Sequence, residues 1–213
     1  AYGLTSLRIL SGTKLLQAGF SSPGKTSVVY YEPPKASLST GRAWQILREH
    51  LAADLYACSR KSGPLIFLQH LLHPGFQVSL GYRFSHFFHQ IGWNFPARLI
   101  SAGSRFLTGC DIHYRAIIGA GVTFPHGRGV VIGSGTVVGR DCSIFHSTTL
   151  GEHEGDGAFP TLEDGVNIYP YSVVSGGVRI GEYSRIGPGV YLTESVPSHT
   201  RAAPQKPEIR RKQ

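Results

Sequence analysis

The chain has 213 residues, enough for one large domain or two small ones, and is globular in composition, with 41% hydrophobic and 16% charged residues. Its net charge of +8 suits an anionic ligand or surface, yet no basic stripe is interleaved with stacking aromatics, which sets nucleic acid aside. Cys58, Cys110 and Cys142 form no C-x-x-C and point to a reduced, cytoplasmic setting, and no apolar run of about 18 residues is present to span a membrane.

Residues 1–40 read as a weakly structured segment. Gly19-Phe20-Ser21-Ser22-Pro23-Gly24-Lys25-Thr26 fits the spacing of a phosphate-binding loop. Such a loop needs a helix after it, and Ser27-Val28-Val29-Tyr30-Tyr31-Glu32-Pro33-Pro34 is poor helix, so the match is read as a decoy. Residues 41–108 read as helical. Trp44, Leu47, Leu51, Leu55 and Cys58 share one helical face, and Ser62-Gly63-Pro64 breaks it. Leu65, Leu68, Leu71 and Leu72 suggest a short helix ended at His73-Pro74-Gly75. Phe76, Leu80, Phe84, Phe87, Phe88 and Ile91 suggest a third, ended by Gly92, and Pro96 suits the first turn of a fourth.

From residue 109 to 195 the pattern changes to a period of six. Stepping from Ile132 through Val138, Ile144 and Leu150 to Leu192, ten of eleven positions are aliphatic; the exception is Asp156. Small or β-branched residues precede them by two: Val130, Thr136, Cys142, Thr148, Val166, Ser172, Val178, Ser184 and Val190. A helix of 3.6 residues per turn cannot hold that period, whereas short strands joined by tight turns can. Three hexads per coil make a solenoid with stacked aliphatic columns. An earlier frame, Ile112, Ile118 and Phe124, is offset by two residues, so the coil should bulge at Pro125-His126-Gly127-Arg128-Gly129. A second loop should leave the coil around Asp156. The helices would cap the first coil, and residues 196–213 would form a Pro-rich basic tail outside the repeat.

The motifs C-D-I-H at 110–113, P-H-G-R-G-V-V-I-G at 125–133 and S-I-F-H-S-T-T-L-G at 143–151, with the hexads through I-G-P-G-V at 186–190, resemble the serine O-acetyltransferase family of hexapeptide-repeat acyltransferases. The likeness covers about residues 64–203 and extends to H-P-G-F-Q-V-S-L-G-Y-R-F-S-H-F before the repeat. It implies a mainly β fold, a left-handed parallel β-helix after a small helical region. It also implies homotrimers with acetyl-CoA sites between neighbours, pairing of trimers into hexamers being open.

Transfer of an acetyl group from a thioester to a hydroxyl needs a base and oxyanion donors. His126 in its outward loop suits the base, and Asp111, fifteen residues earlier and so nearly one coil away, suits the group that holds its tautomer. By resemblance these two are the catalytic pair. His113 is read as fixing a turn, His146 as lining the acceptor pocket, and His153 as solvent-exposed. A zinc site on His126, His146 and His153 is the rival reading; the spacings fit the transferase better, so no metal is expected.

Two departures bear on the acceptor. Serine-specific members carry Asp before the catalytic His, and Arg-His before the second loop's Pro; here Pro125 and Ala158-Phe159 stand there. Loss of those charge partners favours a saccharide or other small-molecule hydroxyl, as in polysaccharide-associated members, with L-serine as the alternative. Phe159 is accordingly assigned to the acceptor. On the donor side the resemblance points to Gly151, to Pro170 and Pro188 where the family keeps small residues along the pantetheine, and to Arg185 and Lys206, with Arg210 and Arg211 as further candidates, for the phosphates. The family's closing G-V-P-A turn is missing, which leaves a non-catalytic trimeric scaffold as the reading of another class.

Overall fold

The computed structural model describes residues 37–59 and 64–204. The Gly19–Thr26 match and Lys206, Arg210 and Arg211 lie outside these residues. Four helices come first: α1 (Thr40–Ser59), α2 (Pro64–His70), α3 (Pro74–Gln90) and α4 (Asn94–Thr108). Their ends follow local chemistry. Pro74 sits in the first turn of α3, so His73-Pro74-Gly75 not only stops one helix but starts the next. Gly109, at φ 70°, caps α4 and donates its N–H to the Arg105 carbonyl at 2.9 Å.

The buried face of α3 differs from the aromatic one expected. Of the expected residues Phe76 is fully buried, Leu80, Phe87, Phe88 and Ile91 are half-buried and Phe84 is partly exposed, and the buried face continues through Val78, Ser79, Tyr82 and Arg83. On α1, Trp44 is also half exposed and meets Phe87 edge to face. The reason lies in what this face covers. The strand Ile117–Ile118 is the outer edge of its sheet, and its backbone groups need partners. Tyr82 supplies two: its hydroxyl donates to Ala116 O at 2.7 Å and accepts from Ile118 N at 3.1 Å. Arg83 donates to Ile118 O at 2.6 Å and Gly119 O at 2.5 Å. Asp54 on α1 is fully buried, pairs with Arg83 at 2.9 Å and accepts from Gly121 N at 2.9 Å. The helices therefore cap the first coil through polar side chains.

The solenoid has about five coils and three parallel sheets, visited in turn. Each strand is two or three residues long, and its aliphatic residue points inward. Ile112, Ile132, Leu150, Val174 and Leu192 stack behind the first sheet, Ile118, Val138, Leu162 and Ile180 behind the second, and Phe124, Ile144, Ile168 and Ile186 behind the third. All nine small residues that precede them by two are buried. Their hydroxyls are satisfied by neighbouring carbonyls: Ser172 Oγ reaches Tyr169 O and Gly187 O at 2.8 Å, and Ser184 Oγ reaches Pro197 O at 2.8 Å.

The register measures each coil. Val131 pairs with Thr149, eighteen residues on. Asp111 pairs with Val131 at twenty, so the first coil carries two extra residues. They fall at the expected bulge, since Thr123 to Val131 takes eight residues where Ser143 to Thr149 takes six. Thr149 pairs with Val173 at twenty-four. The second loop thus inserts six residues, which keeps the hexad frame in phase on both sides of Asp156. The final coil is two residues short: Arg185 pairs with Arg201, and Ile180 bridges Val196. The repeat accordingly runs on to Ala202 and does not end at 195. The phase slip after Leu192 hides this last coil from a six-residue count.

Candidate active site

The bulge sits at the corner between the third and first sheets. Gly127 is buried there, and a Cβ on it would lie 3.0 Å from Gly75 Cα and from Val78. A Cβ on Gly75 would come within 2.2 Å of Phe124 O. Only glycine at both positions lets the start of α3 press on the loop. So pinned, the loop turns His126 outward at φ 59°, exposed to solvent. Its far end closes against the first strand, with Gly129 N donating to Gly109 O at 3.1 Å and Asp111 N to Val130 O at 2.8 Å.

Below His126 the same corner recurs coil after coil. Hydrogen bonds from Ser147 N to Arg128 O, Tyr171 N to His146 O and Gly189 N to Pro170 O tie one turn to the next. His146, Pro170 and Pro188 therefore form one column with the loop. The ring of His126 meets that of His146 at 5.8 Å and 77°, and His146 meets Tyr171 at 5.3 Å and 87°, both edge to face. His146 is half-buried, and its Nδ1 is buried without a hydrogen-bond partner among the described residues. Tyr171, exposed at φ 61°, was not anticipated. Its signal was faint: a bulky residue at a turn position where Gly129 and Gly189 stand in other coils.

Asp111 does not meet its expected partner. Its carboxylate takes a hydrogen bond from Arg105 Nη1 at 3.1 Å, and no hydrogen bond joins it to His126 among the described residues. The helix-to-strand turn at Gly109 brings the last turn of α4 over Asp111, and a guanidinium is the nearer donor.

The other assigned residues lie elsewhere. Gly151 ends its strand on the far edge of the first sheet, and Phe159 belongs to that second corner too. The Phe159 ring lies over Gly133 and Gly135, where a Cβ would come within 2.5 and 2.4 Å of ring atoms. It also borders an open cleft of about 390 Å³ with Glu163, Arg179, Ser195 and Ser198. Glu163 is buried there, held by Arg179 Nε at 2.6 Å and Glu182 N at 2.8 Å. Arg185 stands on the outer face of the third sheet, in register with Arg201, a neighbour that the six-residue count missed.

His113 accepts from Arg115 N at 3.1 Å and stacks on Tyr114, which fits a role in the turn; burial, then Arg115, lowers its pKa. His153 is half-buried, not exposed. Its Nδ1 lies 3.3 Å from Ser175 Oγ and 3.4 Å from Tyr191 OH, because the second loop folds back on the coil. That places it across the first sheet from His126 and His146, so the three do not converge in one chain. Among the described residues no cluster of His, Cys, Asp or Glu is disposed to hold a metal ion, and no helix is long and apolar enough to cross a membrane. Burial pushes the Cys142 thiol up to about 12, so it serves as core, donating to Glu163 O at 3.1 Å.

The bacterial transferase hexapeptide (six repeats) pattern matches residues 159–194. A serine acetyltransferase of Helicobacter pylori is 38% identical over 141 residues, covering 64% of this chain and 81% of the relative. The chain belongs to the serine acetyltransferase family. It is thus an acyltransferase, built on the left-handed parallel β-helix. The enzyme of Mycobacterium tuberculosis is 41% identical over 127 residues, covering 59% of this chain and 56% of that one. Among solved structures, serine acetyltransferase isoform 3 of Entamoeba histolytica in complex with cysteine superposes with a TM-score of 0.72 at 25% identity, over 82% of this chain and 64% of that one. The serine complex of the Neisseria gonorrhoeae family member gives 0.65 at 29% identity, over 78% and 69%.

Proposed function

We propose that this family member transfers the acetyl group of acetyl-CoA directly to the hydroxyl of L-serine, with His126 as general base. The observation that carries the reading is the two-residue bulge. It turns His126 outward, with its ring against that of His146, at the head of the column that continues through Pro170 and Pro188. His126 takes the hydroxyl proton as oxygen attacks the thioester carbonyl. The tetrahedral intermediate collapses, the C–S bond breaks, and the imidazolium returns the proton to the leaving CoA thiolate. Asp111 would steady that imidazolium. The pantetheine would run down the corner past Pro170 and Pro188, toward Arg185 and Arg201 for its phosphates.

Two half-sites on opposite edges of the first sheet suit an assembly of three chains, in which one subunit's His126 corner meets a neighbour's Phe159 corner. L-serine displaces the saccharide acceptor as the leading reading because the relatives above are serine acetyltransferases. What still favours a neutral acceptor is that Pro125 and Phe159 offer no charge to an amino acid. The deciding experiment is thiol release from acetyl-CoA against L-serine, homoserine, sugars and nucleotide sugars, with His126→Ala as control. Release with serine, lowered about 10²–10⁴-fold in the variant, is the expected result. Release with sugars alone would restore the saccharide reading. No release above the variant, with no CoA binding by calorimetry, would leave a scaffold.

A further inference from the structure

The junction between α4 and the solenoid sets a guanidinium on the Asp111 carboxylate. Arg105 lies in the last turn of α4, and its carbonyl is tied to the Gly109 cap at 2.9 Å. Thr108 Oγ1 accepts from Cys110 N at 3.2 Å and holds the same turn. The strand that follows is clamped by Asp111 N to Val130 O at 2.8 Å. Both backbones are therefore fixed before the side chains meet, and Arg105 Nη1 reaches Asp111 Oδ2 at 3.1 Å. Oδ1 has no partner among the described residues.

A carboxylate held at neither oxygen rotates about its last bond and presents no fixed acceptor. One held at Oδ2 presents Oδ1 in a defined direction. The loop carrying His126 closes on this same strand through Gly129 N and Val130 O. We propose that Arg105 is a positioning residue that anchors Asp111 at Oδ2, so that Oδ1 receives the imidazole N–H of His126 when substrates draw the ring in. This rests on reading Asp111 and His126 as the catalytic pair. The sequence gives no sign of it, since Arg105 is one of two arginines, with Arg98, on an amphipathic helix.

The test is a double-mutant cycle between Arg105 and Asp111, assayed with acetyl-CoA and whichever acceptor gives thiol release in the panel above. Arg105→Gln should lower kcat about fivefold and leave KM for both substrates unchanged. Arg105→Lys, which keeps a donor, should retain more activity than Arg105→Gln and covers the case in which the glutamine variant does not fold. In an Asp111→Asn background, Arg105→Gln should add no further loss. Thermal unfolding should barely move, because the pair is half-exposed. An unchanged or raised kcat in Arg105→Gln would mean that the guanidinium is idle or competes for the carboxylate, and would overturn the proposal. So would a fivefold loss that persists beside Asp111→Asn. Full activity in Asp111→Asn alone would remove the catalytic pair, and this inference with it.

Discussion

The solenoid and its helical cap bury their surfaces by different means. Within the coils, apolar residues stack on their own kind six residues apart, and the polar groups that remain are small hydroxyls bonded to nearby carbonyls. At the cap, a single edge strand is closed by Tyr82, Arg83 and Asp54, drawn from two helices. Repetition spreads stability over many equivalent contacts, whereas the cap concentrates it in a few side chains with no substitute. An interior coil should thus tolerate a lost side chain better than the cap does.

The sharpest way to break this contrast is Arg83→Ala. It leaves Asp54 charged, buried and unpaired, and bares Ile118 O and Gly119 O. We expect a loss of about 4 kcal/mol in urea unfolding. A loss under about 1 kcal/mol would mean that the cap is dispensable. A paired apolar replacement is no remedy here, since both side chains also bind backbone groups. Next comes Ile168→Ala in the third sheet, fully buried between Ile144 and Ile186. It should cost about 3 kcal/mol by leaving a cavity, with cooperative unfolding retained. A cost above that of Arg83→Ala would invert the comparison.

The smallest effect is one of pH. Burial, then the Arg83 charge, holds His50 down at about 3, and burial holds His86 at about 4, against an ordinary 6.5. His50 accepts from Arg83 Nη1 at 3.0 Å, and His86 Nδ1 donates to Tyr114 O at 2.8 Å. Below about pH 6.5 the unfolded chain binds protons that the folded cap refuses. Stability should therefore fall between roughly pH 6.5 and 4 and level off below the folded values. His86→Asn, which keeps a donor, should recover about 2 kcal/mol of that decline. Identical slopes in parent and variant would assign the decline to groups outside the cap.

The same division governs what could be read in advance. The columns, the small residues beside them and the two-residue slip at His126 were legible because each repeats or breaks a local period. Helix ends were legible where Pro74 and Gly92 mark them. The Asp54–Arg83 pair was not, since its partners lie 29 residues apart with no periodic relation. Nor was the choice of Arg105 over His126 by Asp111, which depends on where a helix stops. The last coil was lost for a simpler reason: shortening by two residues moves Val196 and Ala202 out of the count.

The second loop has a consequence of its own. Because it adds six residues, one full module, every position after it keeps the sheet and the side, inward or outward, that it would have had without it. Such an excursion behaves as a cassette. Segments of six or twelve residues can be exchanged there while the coils on either side go on in frame. The bulge at His126 has no such freedom: its two residues fit no module, and the short turn between Phe124 and Val130, packed against Gly75, must absorb them where they stand. A solenoid of this kind fixes the length of one excursion and lets the other change by whole modules.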